Sequence, residues 1–134
     1  MDIDGIRTAL TNEISPSQFT ADGNSLASVL IIIYGNDPII LMTKKARTLK
    51  QHGGEISFPG GKWQSNDDDL LETAIRETNE ELSLSVNRNQ ICGQLDNVIT
   101  LNSKYTITPF ISIIDKIPIL TPNSEVESVL HIPL

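Results

Sequence analysis

The sequence predicts one α/β domain in which helices pack against a mixed β-sheet. The chain has 134 residues, 39% of them hydrophobic, which is enough for one globular domain with a buried core. Short runs rich in Ile and Val alternate with turn residues, as β-strands do. Two further segments have apolar residues at helical spacing. We therefore assign residues 1–134 to a single domain.

Residue spacing predicts the first helix and the first hairpin. Ile3, Ile6 and Leu10 recur at helical spacing, and Ser15-Pro16-Ser17 interrupts that pattern. Residues 28–34 have the composition of a buried strand. A turn at 35–38 leads into a second strand over 39–43, which we expect to pair back as a hairpin. Further strand candidates are residues 90–94, 98–101, 106–114 and 126–132.

A second helix is predicted to begin at an acidic cap. Asp69-Leu70-Leu71-Glu72 has the form of an N-cap residue followed by a capping glutamate. Asp67 and Asp68 add negative charge near the positive end of this helix. Ser83 stands at its other end, and a non-glycine residue can end a helix without a left-handed turn.

One face of this second helix carries a cluster of acids. Glu77, Glu80 and Glu81 are spaced so that they project together, and like charges at this spacing repel unless a cation binds among them. Carboxylates are the ligands that Mg²⁺ or Mn²⁺ prefers. Arg76 is expected to pair with Glu72 and Glu80 and to orient a carboxylate. The structural alternative is a solvated acidic face.

A diglycine and a basic segment precede this helix. Gly60-Gly61 follows extended residues 56–58, and glycines there let the backbone approach a metal or a phosphate closely. A phosphate-rich ligand would explain why half of the ten Lys and Arg residues lie between 44 and 62 in an otherwise acidic chain. The alternative is a solvated loop. These basic residues are Lys44, Lys45, Arg47, Lys50 and Lys62.

The order of these features resembles the signature of the Nudix hydrolases. The residues that carry the resemblance are Phe58-Pro59-Gly60-Gly61 and, fifteen residues after the second glycine, Arg76-Glu77-Thr78-Asn79-Glu80-Glu81. Residues 41–61 are also similar to the extra motif of the coenzyme A pyrophosphatase branch. The resemblance spans residues 41–84. It implies an α/β/α sandwich around a mixed β-sheet.

The chain departs from the family pattern at several positions. Lys45 and Lys50 stand where the branch motif usually has arginine, and lysine lacks the bidentate geometry of arginine. Ser83 replaces the glycine that commonly follows the paired glutamates. Asp67 or Asp68 stands where the general signature has a glutamate, so the first acid of the signature is ambiguous.

The resemblance implies metal-assisted hydrolysis of a diphosphate. Mg²⁺ or Mn²⁺ would be held by Glu77, Glu80 and Glu81 with help from the carbonyl of Gly61, and would activate a water that attacks phosphorus in line. One carboxylate must accept the proton of that water. Glu80 and Glu125 are the candidates for this base. Arg76 is the third predicted catalytic residue.

The implied substrate is coenzyme A or a derivative, split into phosphopantetheine and adenosine 3′,5′-bisphosphate. Lys45, Arg47 and Lys50 are expected to neutralise charge on the substrate. His52 either contacts the substrate or makes a structural hydrogen bond. Two rivals remain: a Nudix hydrolase of another derivative (an oxidised nucleoside triphosphate, NADH or ADP-ribose), and a catalytically silent Nudix domain that only binds a nucleotide.

Composition and charge limit the partners and the location. The formal net charge of -7 argues against nucleic-acid binding by charge attraction. The first residues lack the features of a signal peptide, and the apolar run 26–34 is too short to span a bilayer, so we expect a cytoplasmic enzyme without membrane contact. Cys92 is the sole cysteine, which excludes an internal disulfide.

The end of the chain leaves one question open. In the family, a strand like residues 128–133 leads into a final helix that covers the sheet, whereas here the sequence stops at Leu134. Either the chain is truncated and lacks the usual C-terminal helix, or another surface covers that face, such as a second subunit in a homodimer.

Overall fold

A computed structural model describes residues 2–9, 14, 25–50, 52–100 and 104–134. Its described elements form one mixed sheet with a helix on each face. Those elements are α1 Ile3–Ala9, β1 Ser25–Tyr34, β2 Ile39–Lys45, β3 Ile56–Ser57, β4 Gly60–Lys62, α2 Leu70–Leu82, a 3-10 turn Arg88–Gln90, β5 Ile91–Gln94, β6 Val98–Ile99, β7 Tyr105–Ile114 and β8 Val126–Pro133.

Strand β1 is the centre of the sheet. It pairs in parallel with β7 along its whole length, so that Ser25 is opposite Tyr105. Its other edge is shared, because β4 pairs antiparallel with its first half and β2 with its last residues. The order is β3-β2-β1-β7-β5, with β8 on β2 and β6 on β7. The predicted mixed sheet and the β1–β2 hairpin are confirmed.

The two faces of β1 pack against different helices. Leu30 and Ile32 are fully buried in a cluster with Leu71, Ala74 and Leu82 of α2. The alternate residues Ile31 and Ile33 pack with Ile6 of α1 and with Ile111 and Ile113 of β7. Because successive side chains of a strand point to opposite faces, this alternation gives the sheet a helix on each side. The α/β/α sandwich that the sequence implied is confirmed.

Several predicted boundaries are corrected. β1 begins at Ser25, β2 continues to Lys45, and β5 begins at Ile91 because Gln90 closes the 3-10 turn. β6 ends at Ile99, and position 101 of this predicted strand lies outside the described residues. Position 10 of the first predicted helix and the predicted break at residues 15–17 also lie outside them. β3 and β4 are so short that their pairing leaves no periodicity in the sequence. Within the described ranges, no helix is long and apolar enough to cross a membrane.

Candidate active site

Helix α2 begins at the predicted cap. Asp69 is extended, and its carboxylate accepts a hydrogen bond from the backbone N–H of Glu72 at 2.9 Å. The Arg88 guanidinium, 2.8 Å from Asp69, holds the pKa of that carboxyl below its ordinary value. The carboxylate of Glu72 reaches the backbone N–H of Asp68 instead of the cap residue. The cap is therefore confirmed, and the capping glutamate acts one residue earlier than its pattern predicts.

The end of α2 differs from the prediction and anchors a neighbouring loop. Ser83 adopts the left-handed conformation, with φ 57 and ψ 34, so this helix ends in the left-handed turn although the residue is not glycine. The backbone N–H of Thr121 donates to Leu82 O, and that of Asn123 donates to Glu81 O. These bonds satisfy terminal helix carbonyls. They also hold the segment that leads to Glu125 against the end of the acidic helix.

Glu81 is buried beside the diglycine. Glu81 is only 2% exposed, and its Oε1 accepts a hydrogen bond from Gly60 N at 3.2 Å. Burial raises the pKa of Glu81 to about 7, and the charges of Glu77 and Glu125 add to that rise. The positive charge of Lys45 and the Gly60 bond oppose it. A buried carboxylate of this kind is stabilised in its ionised form by a nearby cation.

Glu77 lies against the second glycine. A Cβ added to Gly61 would stand 2.5 Å from the carboxylate carbon of Glu77, so no other residue fits at position 61 without displacing that carboxylate. Burial raises the pKa of Glu77, and the hydrogen bond from Arg76 at 3.0 Å opposes the rise. The backbone of β4 therefore runs directly along the carboxylates of α2.

Arg76 is clamped by an acid outside its own helix. Its Nε and Nη2 donate to the two carboxylate oxygens of Asp67 at 2.8 and 2.9 Å. This pairing holds the pKa of Asp67 below its ordinary value, and Asp67 also accepts from Thr73 Oγ1. Asp67 rather than Asp68 is therefore the acid that pairs with Arg76. The predicted Glu72–Arg76 pair is wrong, because among the described residues Arg76 forms ion pairs with Asp67, Glu77 and Glu80.

The two candidate bases differ in their surroundings. The side chain of Glu80 is 54% exposed, and Arg76 Nη1 donates to its two oxygens at 3.3 and 3.4 Å. Glu125 comes from the loop before β8, and its negative charge adds to the rise in the pKa of both Glu77 and Glu81. Ala46 N donates to the backbone carbonyl of Glu125. The role of Glu125 as a base stays a prediction.

The donor set fits a hard divalent cation, although its side chains are not arranged as a ready-made cage. Among the residues that the structure describes, no three acidic, histidine or cysteine side chains are grouped closely enough to hold a metal ion. Glu77 and Glu80 turn toward Arg76, and Glu81 turns toward Gly60. Their carboxylate oxygens, with a backbone carbonyl such as that of Gly61, are nevertheless ligands of the kind that Mg²⁺ takes.

The basic segment divides between two places. The positive charge of Lys45 opposes the rise in the pKa of Glu81. Lys45 and His52 both line one cavity. Lys44 and Arg47 instead form ion pairs with Glu127, at 3.1 and 3.8 Å. Lys50 is exposed and, like Arg47, does not line the cavity. Two of the four predicted substrate contacts are therefore brought to one site.

That cavity, of about 350 Å³, lies on the side of the diglycine strand near β1 and β7. His52 has a left-handed backbone with φ 61, and its Nδ1 lies 2.8 Å from Oε2 of Glu55. Sequence reasoning missed three of its lining residues, Glu55, Ser57 and Tyr105. Tyr105 reaches the cavity through the parallel pairing of β1 with β7, which no local pattern encodes. A larger cleft of about 740 Å³, near Tyr34, is lined by none of the predicted site residues.

Two relatives are similar to most of this chain. The uncharacterized Nudix hydrolase NudL of Yersinia pestis is 34% identical over 125 residues, which cover 92% of this chain and 62% of that relative. The corresponding protein of Yersinia enterocolitica is 32% identical over 120 residues, covering 89% and 61%. The chain thus spans about three-fifths of the length of these relatives.

Solved structures share the fold at low sequence identity. A MutT/nudix family protein from Enterococcus faecalis has a TM-score of 0.70 at 15% identity, covering 98% of this chain and 51% of that one. RenU, a Nudix hydrolase from M. smegmatis, has a TM-score of 0.66 at 19% identity, covering 82% and 71%. A NUDIX domain model matches residues 25–129. On this match and on the identity to NudL, the chain belongs to the Nudix hydrolase family.

Proposed function

We propose that this chain is a metal-dependent pyrophosphohydrolase that splits the diphosphate of coenzyme A or a derivative. One observation carries the proposal: the Gly60–Gly61 backbone runs against the buried carboxylate of Glu81 and the half-buried carboxylate of Glu77. Gly60 N donates to Glu81 at 3.2 Å, and Gly61 has no room for a Cβ beside Glu77. Such close backbone approach next to acids suits a site that would hold a divalent cation for hydrolysis of a diphosphate.

Nudix hydrolases generally use divalent metal ions. In this chain we assign the ion to Glu77, Glu80 and Glu81, with the carbonyl of Gly61. When bound, Mg²⁺ or Mn²⁺ supplies charge neutralisation at the phosphate oxygens and lowers the pKa of a coordinated water. Glu77 and Glu80 also accept hydrogen bonds from Arg76. The bonds from Arg76 to Asp67 hold this guanidinium in place.

The protein side chains supply the remaining chemistry. Glu125 or Glu80 would accept the proton of the attacking water, since the charges of both act on Glu77 and both residues are exposed to solvent. Lys45 lies close enough to Glu81 to influence its ionisation, so its ammonium group is placed to offset charge on a phosphate there. Arg76 positions Glu77 and Glu80 and touches no reacting atom.

The motif over residues 41–61 is the reason for choosing coenzyme A. It contributes Lys45, His52 and Ser57 to the cavity wall beside the diglycine. Hydrolysis there would release phosphopantetheine and adenosine 3′,5′-bisphosphate. A second candidate is another nucleoside diphosphate derivative, and the pairing of Lys44 and Arg47 with Glu127 favours it, since these motif cations turn away from the cavity.

A substrate panel tests the proposal. Coenzyme A, ADP-ribose, NADH, Ap4A and 8-oxo-dGTP are each incubated with Mg²⁺ or Mn²⁺, and with EDTA as the control. We expect metal-dependent release of adenosine 3′,5′-bisphosphate from coenzyme A at the highest kcat/KM. Faster turnover of another compound would support the second candidate, and no turnover of any compound would leave a silent nucleotide-binding domain. Light scattering on the same sample distinguishes a monomer from a homodimer.

A further inference from the structure

Glu127 lies at an irregularity in the pairing of β2 with β8. Lys44 is opposite Ser128, and the next residue of β2 is opposite Val126. Glu127 therefore has no partner residue on β2. Strand β8 carries one extra residue at this point, which is a β-bulge. Bulges change the direction of a side chain and often lie beside active sites.

The bulge releases Glu127 from the sheet face that packs on α2. Val129 packs against the apolar cluster on that face, and regular alternation along β8 would direct residue 127 to the same face. Val126 takes this position instead and is buried in the cluster. The side chain of Glu127 is left at the surface, where it is 41% exposed.

Glu127 neutralises two cations of the basic segment. Lys44 Nζ lies 3.1 Å from its Oε2, and Arg47 Nε lies 3.8 Å from its Oε1. The second distance is too long for a hydrogen bond, so this contact is charge attraction. The side chain of Arg47 is 74% exposed, and exposed ion pairs are weak. Little free energy is therefore needed to move Arg47 from this carboxylate to another anion.

The backbone that precedes Arg47 is anchored beside the site. Ala46 N donates to Glu125 O at 2.9 Å, and Lys45 N donates to Glu55 O at 2.8 Å. Lys45 and Glu55 both line the cavity beside the diglycine, whereas Arg47 does not. Arg47 thus follows directly after backbone that is held at the cavity wall, and it can change its partner by rotation of its side chain.

We propose that Glu127 determines specificity: it holds Arg47 away from the substrate and so lowers the preference for substrates with a phosphate beyond the diphosphate. The inference rests on the proposed function, because it assumes that the diphosphate is bound beside the diglycine. An additional phosphate competes with Glu127 for the guanidinium of Arg47, which can donate two parallel hydrogen bonds to phosphate oxygens. Removal of the Glu127 charge ends this competition and leaves the cation for the phosphate.

Two ligands that differ by one phosphate test this role without requiring turnover. Calorimetry with Mg²⁺ measures the Kd of AMP and of adenosine 3′,5′-bisphosphate, and the ratio of these values defines the preference. Glu127→Gln is expected to raise the preference for the bisphosphate about three- to fivefold, because that is the worth of one exposed ion pair. The ratio of kcat/KM for coenzyme A over dephospho-coenzyme A should rise in parallel.

Glu72→Gln is the matched control. It also removes one negative charge, but the carboxylate of Glu72 bonds Asp68 N at the start of α2. Its preference should equal that of the wild type. Arg47→Met in the Glu127→Gln background should return the preference to the wild-type value, which identifies Arg47 as the released cation. A merely structural role of Glu127 would change both Kd values equally, and circular dichroism checks that each variant is folded.

Four results would overturn the inference: an unchanged preference in Glu127→Gln, an equal rise in Glu72→Gln, a rise that Arg47→Met does not reverse, or no binding of either ligand. Failure of the proposed function looks different. If the wild type hydrolyses nothing in the panel while Glu127→Gln gains the preference, the assignment of Glu127 stands and the catalytic one falls. If coenzyme A is hydrolysed but both ratios ignore Glu127, only the assignment of Glu127 falls.

Discussion

The acidic helix and the basic segment were both visible in the sequence, but only the helix directs its charges to one face. On α2, the acids at 77, 80 and 81 share a face because the helical repeat requires it. In the basic segment, Lys45 at the end of β2 lines the cavity. Lys44 of the same strand and Arg47 of the following loop pair with Glu127, and Lys50 is exposed. A cluster along the sequence reaches one face only where the repeat of its element directs the side chains there.

The largest expected effect breaks the acidic side of this comparison. Glu77→Gln and Glu81→Gln should each lower kcat/KM roughly a hundredfold or more, since loss even of an outer partner of a metal ligand costs ten- to a hundredfold. Steady-state hydrolysis with Mg²⁺ measures the loss. Glu72→Gln is the control on the same helix, because its carboxylate bonds Asp68 N away from the diglycine. Wild-type turnover in either test variant would contradict the ligand assignment.

The Arg76–Asp67 clamp should dominate the stability of this region. Asp67 is 4% exposed and accepts from Arg76, Thr73 and Gln64 N. Asp67→Asn replaces an acceptor by a donor among these groups, and should lower the free energy of unfolding by about 3 kcal/mol. Urea denaturation measures this. The neighbouring exposed Asp68→Asn should change it by less than about 0.5 kcal/mol, and equal losses in both variants would refute the clamp.

These two predictions also separate what the sequence could and could not reveal. The cap at Asp69, the acidic face and the β1–β2 hairpin follow from local periodicity, and the structure confirms them. The choice of Asp67 over Asp68 as the partner of Arg76 depends on how a loop closes onto a helix. Likewise, Tyr105 enters the cavity through a parallel pairing with a strand far away along the chain. Such long-range contacts leave no periodic signal.

The buried acid gives a pH dependence with a definite sign. In the metal-free protein the pKa of Glu81 is about 7, above its ordinary value of 4.5, so the folded state binds the extra proton between these values. The contribution of Glu81 to the free energy of unfolding is therefore most favourable below about pH 4.5. It falls by about 2–3 kcal/mol as the pH rises toward 7. The measurement is unfolding free energy against pH in EDTA. Glu81→Gln should flatten that slope, and the exposed Glu80→Gln should retain it.

The smallest expected effect concerns the basic segment. Lys45→Met should lower kcat/KM about tenfold, because its charge acts on a buried carboxylate and on any phosphate beside it. Lys50→Met should change kcat/KM by less than about twofold, since an exposed charge is screened by solvent. Arg47→Met should resemble Lys50→Met as long as Arg47 stays paired with Glu127. If all three substitutions instead cost about the same, the loop acts as one cationic surface around the substrate, and the contrast with the helix no longer holds.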